Sequence, residues 1–191
     1  SITLMAMLPL KRIQMSSRNG SNMTSRAETS GAGDLKLGGV FPLWANSAHN
    51  RTLKLNAGLS IPTGSIKETG PAMGGAGTMR LTYPLQLGSG TVDLLPGLTY
   101  LQEKDGWSWG AQAAGALRLG ENGEGYSLGN RLQATAWYSH KISDTLSASA
   151  RIEGTTWGNI DGQDAELMNS MMSPNARADL RGGERVEILF G

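Results

Sequence analysis

The stretch that decides the fold runs from residue 51 to residue 61 and reads Arg51, Thr52, Leu53, Lys54, Leu55, Asn56, Ala57, Gly58, Leu59, Ser60, Ile61. The odd-numbered positions from Leu53 to Ile61 are all apolar, and the even-numbered positions between Thr52 and Ser60 are polar or glycine. A strand points successive side chains to opposite faces, so this alternation predicts a β-strand with one apolar and one polar face. A helix would spread the same apolar residues around its circumference.

The same alternation recurs along most of the chain. Besides residues 51–61, it predicts strands at 1–15, 34–44, 79–87, 91–101, 107–118, 126–138, 146–157 and 185–190. Segments rich in glycine, serine and asparagine separate them, with long loops at 16–33, 62–78 and 158–183. We expect one β-barrel domain over residues 1–191. The odd strand count, and a long loop at 158–183 where a short turn is due, indicate that one strand is missed or misread.

The composition excludes several classes of protein. Charged residues make up 17% of the chain, below the roughly 25% of an average soluble domain, and glycine contributes 27 of 191 residues. The net charge of +1 indicates no nucleic-acid partner. There is no cysteine, which excludes disulfides and thiolate chemistry. The longest apolar run, residues 4–8, is far shorter than the ~20 residues of a membrane-spanning helix.

Strand length and polarity favour a transmembrane barrel over a soluble sandwich. Sandwich strands average about five or six residues, whereas the strands of membrane barrels run about 9–11 residues with aromatic residues near both ends. Most of the predicted strands have the longer length. Their ends carry aromatic residues: Trp44, Tyr83, Tyr100, Trp107, Trp109, Tyr126, Tyr138 and Trp157. We therefore predict an all-β, antiparallel, outer-membrane barrel of about 10–12 strands when complete.

The polar faces of these strands define the candidate functional residues. Eleven side chains are predicted to line the lumen: Lys36, Lys54, Asn56, Arg80, Gln86, Asp93, Gln112, Arg131, Gln133, Arg151 and Glu153. In one interpretation their charges filter solutes in an open pore. In the other they pair across a narrow barrel and plug it, because small barrels have packed interiors. Both interpretations stay open at this point.

Four short phrases resemble a known family of outer-membrane proteins. They are 33–38 (GDLKLG), 58–64 (GLSIPTG), 86–91 (QLGSGT) and 109–112 (WGAQ). The chain resembles, from about residue 31 to its C-terminus, the transporter-like "MetA-pathway of phenol degradation" barrels. The resemblance implies passage of small solutes, aromatic or apolar ones among them, across the outer membrane. The family's closing strand ends in an aromatic residue, whereas here Gly191 follows Phe190, and we expect the chain to be part of a longer one.

Catalysis is not predicted. Ser139 and His140 suggest a nucleophile and its base, but neighbours in a strand point to opposite faces and cannot pair directly. His49 and His140 are predicted to lie in solvated turns. We predict no catalytic residue, so the protein is not expected to be an enzyme.

Two groups of residues suggest a metal without satisfying its requirements. The thioether groups of methionine bind Cu(I), but methionine side chains more often serve as adaptable packing in a protein interior. The methionines in question have no histidine or cysteine close to them in sequence: Met5, Met7, Met168, Met171 and Met172. Asp161, Asp164 and Glu166 lack the remaining ligands of an EF-hand calcium loop. No metal and no cofactor is predicted.

The sequence therefore predicts a bacterial outer-membrane channel that passes small solutes by passive diffusion. The alternative is a plugged structural barrel that acts as a scaffold or as a sheath for a partner protein. The expected partners are outer-membrane lipid and small-molecule solutes, and association with further copies of the chain or with another protein is left open.

Overall fold

The computed structural model describes residues 1–18, 24–71, 77–167 and 174–191. Within these residues the fold is all-β. In chain order the strands are β1 (Thr3–Met7), β2 (Leu10–Arg18), β3 (Thr24–Ala32), β4 (Leu35–Ala45), β5 (Arg51–Ile61), β6 (Thr69–Pro71), β7 (Thr78–Arg80), β8 (Val92–Leu94), β9 (Gly97–Lys104), β10 (Trp107–Leu119), β11 (Tyr126–Ser127), β12 (Arg131–Lys141), β13 (Ser147–Trp157), β14 (Asp161–Gly162) and β15 (Gly183–Phe190). The described residues contain no helix of the length and hydropathy that crossing a membrane requires.

One antiparallel sheet forms the body of the molecule. Its strand order is β1-β4-β5-β8-β10-β12-β13-β15, and β9 pairs with both β5 and β10. β8 and β9 thus follow one another in the same position of the sheet, between β5 and β10. The strand is interrupted at Leu95 and Pro96 because proline has no N–H to donate to the ladder. The Pro96 carbonyl still accepts the Gly115 N–H at 2.8 Å. No pairing among the described residues joins β1 to β15, which leaves these two strands at the sheet edges.

The sheet has an outer face with exposed apolar side chains and an inner face with polar ones. β5 forms as predicted, and on its outer face Leu55 is 37% and Leu59 is 44% exposed. Its inner-face residue Ser60 is only 2% exposed. A soluble domain would bury the apolar face, so an exposed apolar belt on strands of 11 residues is the arrangement of a membrane barrel. The predicted fold class, an antiparallel outer-membrane barrel, is confirmed.

The long connections all leave the same end of the sheet, and together we call them the cap: residues 8–34, 62–91, 120–130 and 158–182, as far as they are described. The connections at the opposite end are short, at 46–50, 105–106 and 142–146. The cap holds the hydrophobic core of the molecule, which is made by Tyr83, Tyr126, Ile160 and Leu167. Compact packing thus lies at one end of the barrel, outside the sheet.

One predicted strand is wrong, and its removal restores the expected order of the connections. Residues 79–87 contain only the end of β7 and a single 3-10 turn at Tyr83–Leu85, which has Pro84 in its first turn. Four of the alternating apolar side chains of this segment are buried in the cap: Leu81, Tyr83, Leu85 and Leu87. An extended segment that packs on a core shows the same period of two as a strand. Without it, long and short connections alternate along the whole sheet.

The loops predicted at the cap end contain more structure than their composition suggested. Residues 16–33 include β3, which pairs with β2 in a separate hairpin, and residues 62–78 include β6. Residues 158–183 contain β14 and single 3-10 turns at Ala165–Leu167, Pro174–Ala176 and Ala178–Leu180. Cross-strand pairs such as Arg12 and Gln14 with Glu28 hold the first hairpin, so polar residues here are strand-forming as well as solvated.

Candidate functional site

A row of polar side chains crosses the inner face of the sheet. Strand register places its members side by side on β5, β9, β10, β12, β13 and β15, and we call them the polar row: Lys54, Thr99, Gln112, Thr135, Glu153 and Glu187. Gln112 Nε2 donates to Thr99 Oγ1 at 2.8 Å, and Asn56 Nδ2 donates to the same oxygen at 2.8 Å. Because charged and amide groups line one continuous row, the inner face can interact with water and with polar solutes.

Nine of the eleven predicted lumen residues lie on the inner-face parity of the sheet: Lys36, Lys54, Asn56, Asp93, Gln112, Arg131, Gln133, Arg151 and Glu153. The structure places the other two, Arg80 and Gln86, in the cap. Thr99, an inner-face residue that the sequence reasoning missed, follows the interruption at Pro96, where the alternation is broken. Arg118 shares the parity of Gln112, so the alternation itself could have identified it.

Two buried carboxylates join the sheet to the cap. Asp93 is 1% exposed, forms an ion pair with Arg118 and accepts a hydrogen bond from Thr91 Oγ1 at 2.7 Å. Asp34 accepts hydrogen bonds from the Ser89 N–H at 2.8 Å and the Gly64 N–H at 3.0 Å. Each buried charge has partners, as a charge removed from water requires. The cap is therefore fastened to the end of the sheet by ionic hydrogen bonds.

A third buried charge, Arg80, is surrounded by carboxylates inside the cap. Its side chain is 4% exposed; Nη1 donates to the Ile66 carbonyl at 3.0 Å, Nη2 to Glu124 at 3.0 Å and Nε to Glu166 at 3.1 Å. The Asp164 carboxylate, 2% exposed, lies 3.7 Å from Arg80 Nε. These contacts connect cap segments far apart in sequence, so Arg80 organises the cap.

The surroundings of Glu124, Arg80 and Tyr126 in the cap shift the pKa values of these groups. A hydrogen bond from Lys67 and the charge of Arg80 hold the pKa of Glu124 below its ordinary value, against the opposing effect of burial. Burial by itself would lower the pKa of Arg80, but the hydrogen bond to Glu166 and the neighbouring carboxylates raise it above its ordinary value. Burial raises the pKa of Tyr126 to about 12. At neutral pH Glu124 and Arg80 are therefore charged and Tyr126 is neutral.

Aromatic side chains cluster on the outer face at the end of the sheet that carries the short turns, and we call this cluster the aromatic girdle. The outer-face rings of Trp107 and Tyr138 stack with centroids 6.4 Å apart, and those of Tyr100 and Trp109 are 5.1 Å apart. Aromatic residues concentrate at membrane–water interfaces, where one end of the ring is apolar and the other polar. Two aromatics predicted for strand ends, Tyr83 and Tyr126, lie in the cap core instead. Trp157 does end a strand, β13, but it shares the inner-face parity of Arg131.

The residues considered for catalysis or metal binding have other surroundings. Ser139 and His140 occupy successive positions of β12, and the ring of His140 stacks on Tyr138 with centroids 6.4 Å apart. Among the residues that the structure describes, no group of three histidine, aspartate or glutamate side chains is placed to hold a metal ion. Asp164 and Glu166 instead face Arg80.

Of the methionines considered as ligands, Met5 and Met7 lie on β1 opposite Gly38 and Lys36, and both are about half exposed. Met168, Met171 and Met172 lie outside the described residues.

Comparisons with known proteins agree with this geometry. A family model described as "Putative MetA-pathway of phenol degradation" matches residues 1–177. An outer membrane channel from Pseudomonas putida F1 is similar in fold, with a TM-score of 0.61 and 15% sequence identity. The similarity covers 98% of this chain and 62% of the Pseudomonas chain, so this chain spans less than two thirds of that channel's length. No curated protein matches the chain in sequence.

The exposed apolar belt, the aromatic girdle and the family match, together with the fold shared with that channel, place the chain in the bacterial outer membrane. With a family model that extends over 177 of its 191 residues, the chain belongs to the "Putative MetA-pathway of phenol degradation" family of outer-membrane barrels.

Proposed function

We propose that the chain forms the cap and part of the barrel of an outer-membrane channel through which small solutes pass by passive diffusion. The observation that carries this proposal is the polar row, which places charges of both signs, Lys54 and Glu153, at one level of the inner face. Such a ring of charge selects among solutes by electrostatic interaction. The family description, which refers to phenol degradation, supports aromatic solutes, and the Pseudomonas channel supports the role in transport.

The proposal includes an orientation in the membrane. Barrels of this class have short periplasmic turns and longer extracellular loops. The short turns of this sheet share their end with the aromatic girdle, and the long connections build the cap at the other end. The cap would therefore face the outside of the cell, and a solute would pass it before it reaches the polar row.

Single-channel recording in planar bilayers tests the proposal with the full-length protein. We expect steady ohmic conductance, and Lys54→Glu should move the reversal potential in a salt gradient toward cation selectivity. Glu153→Lys should move it the opposite way. Lys104→Glu is the matched control, because it makes the same change in charge on an exposed residue beside the short turn of β9 and β10, away from the polar row. Equal effects of Lys54→Glu and Lys104→Glu would contradict a lumen lined by the polar row.

A second candidate function is a plugged barrel that serves as a scaffold or sheath for a partner protein, or that assembles with further copies of the chain. The observation that favours it is the cap, whose buried core and ion pairs make it a packed unit rather than a set of open loops. A correctly folded barrel that gives no conductance in the same recordings would support this candidate. Both candidates propose a role without catalysis.

A further inference from the structure

A cavity of about 430 Å³ lies where the cap meets the inner face. Among the described residues, its lining includes four arginines, Arg118, Arg131, Arg181 and Arg185, and no carboxylate. Arg118, Arg131 and Arg185 belong to β10, β12 and β15, whereas Arg181 comes from the last segment of the cap. Strands and cap, far apart in sequence, thus bring four positive charges to one space.

Only part of this charge is neutralised by neighbouring residues. Arg118 pairs with Asp93, and Arg185 Nη2 lies 3.2 Å from a Glu187 carboxylate oxygen. In the part of the chain that the structure describes, Arg131 and Arg181 form no ion pair. The buried Nε of Arg118 also has no hydrogen-bond partner there. The cavity therefore has two uncompensated positive charges and a free donor, which together favour an anion.

The rest of the lining is apolar and aromatic. Tyr83 and Trp157 contribute rings, and Leu128 and Ile160 contribute aliphatic surface. The Trp157 indole N–H donates to the Arg181 carbonyl at 2.7 Å, which fixes the ring beside that arginine. Guanidinium groups bind a carboxylate through two parallel hydrogen bonds, whereas rings and aliphatic side chains bind an apolar body. The volume is within the range of about 300–1,000 Å³ that is typical of small-molecule sites.

We propose that this cavity binds a monocyclic aromatic carboxylate, with Arg131 and Arg181 on the carboxylate and Trp157 beside the ring. The inference rests on the proposed channel function, because it makes the cavity a solute site on the way through the barrel. The uncharged hydroxyl of a phenol would leave both arginines unpaired, so the site distinguishes the acid from the neutral aromatic.

Isothermal titration calorimetry of the full-length protein in detergent tests the site with benzoate, benzyl alcohol and inorganic phosphate. We expect benzoate to bind, and the other two to bind at least tenfold more weakly, since each lacks either the carboxylate or the ring. Arg131→Gln and Arg181→Gln should each weaken benzoate binding about tenfold, the effect of losing one charge-assisted contact. Arg151→Gln is the matched control, because Arg151 is an inner-face arginine that lies over the Trp137 ring, outside the cavity.

Two results would overturn the inference: benzoate affinity that neither arginine variant changes, or phosphate that binds as tightly as benzoate. Heat-modifiable migration in gel electrophoresis verifies that each variant is folded before titration. Conductance separates this inference from the proposed function. A conducting protein that does not bind benzoate removes the site and leaves the channel, whereas benzoate binding to a silent barrel keeps the site and removes the channel.

Discussion

Replacing Arg80 by methionine should open the cap while the barrel stays folded. Methionine retains most of the volume and removes the charge, so the change acts on the ion pairs rather than on packing. Two of the three carboxylates keep an alternative: Glu124 has Lys67 at 2.5 Å, and the side chain of Glu166 is 61% exposed to water. Asp164, which is 2% exposed, loses its cationic neighbour while it remains buried.

The expected size of the effect follows from the one buried carboxylate, Asp164, that is left without a cationic neighbour. Removing one partner of a buried ion pair costs about 3–5 kcal/mol, and we take the lower end because only one carboxylate is left without a cation. About 3 kcal/mol corresponds to an increase of roughly a hundredfold in the equilibrium constant for opening the cap. The matched control is Arg177→Met, since Arg177 pairs with Asp179 in the same cap but both side chains are more than half exposed. Exposed pairs contribute about 0–1 kcal/mol.

Amide hydrogen exchange in detergent measures this opening by region. Peptides from residues 120–130 and 158–167 should exchange about a hundredfold faster in Arg80→Met and less than about fivefold faster in Arg177→Met. Peptides from β12 and β13 should keep their protection, because their backbone hydrogen bonds lie within the sheet. The reasoning is refuted if the two variants have the same exchange rates in the cap, or if the sheet loses protection together with it.

Three further predictions concern the sheet and the charge state of the cap. Gly110→Ala should destabilise the barrel by about 1–3 kcal/mol, measured as a lower midpoint of heat-modifiable migration, because the new Cβ would lie 2.3 Å from a ring carbon of Trp137; an unchanged midpoint would show that the ring moves aside freely. Leu55→Arg on the outer face should cost about 2–4 kcal/mol in a lipid refolding titration, whereas Asn56→Arg on the inner face should cost less than about 1 kcal/mol; equal costs would contradict the assignment of the two faces. Lowering the pH should loosen the packing of the cap, because the pKa of Glu124 is held below its ordinary value in the folded protein. The contribution of Glu124 to stability is fully present above about pH 4.5, and it is lost as the pH falls through the folded-state pKa of this group. Cleavage of the cap by pepsin, corrected for the activity of pepsin on an unfolded substrate, should then rise below about pH 4, and equal cleavage at pH 5 and pH 3 would contradict this.

Much of the sheet could be predicted because its signal is local. In β5 the chain alternates Leu53, Lys54, Leu55, Asn56, because one face of the strand contacts lipid and the other faces the lumen. The same signal failed at residues 79–87, where a buried core takes the place of lipid. Period two in sequence records alternating environments but does not say which environments they are.

The candidate site residues divide in the same way, into those with a local sequence signal and those without one. The inner-face residues on continuous strands, such as Lys54 and Gln112, follow from parity alone. Thr99 required the register of β9 against β5 and β10, because Pro96 interrupts the alternation before it. The roles of Arg80 and Arg181 had no local signal, since their partners Glu124, Glu166 and Trp157 are distant along the chain.

The sequence by itself determined an antiparallel barrel with an apolar outer face, a polar inner face and long connections between its strands. These features depend on which way each side chain points relative to its immediate neighbours, and the chain carries that information residue by residue. Only the tertiary structure decided that the long connections pack into one cap with its own core, and that four arginines meet beneath it. Those arrangements require loop closure between segments that are far apart along the chain, such as those of Arg80 and Glu166, 86 residues apart, and they are stabilised by contacts that exist only once the chain has folded.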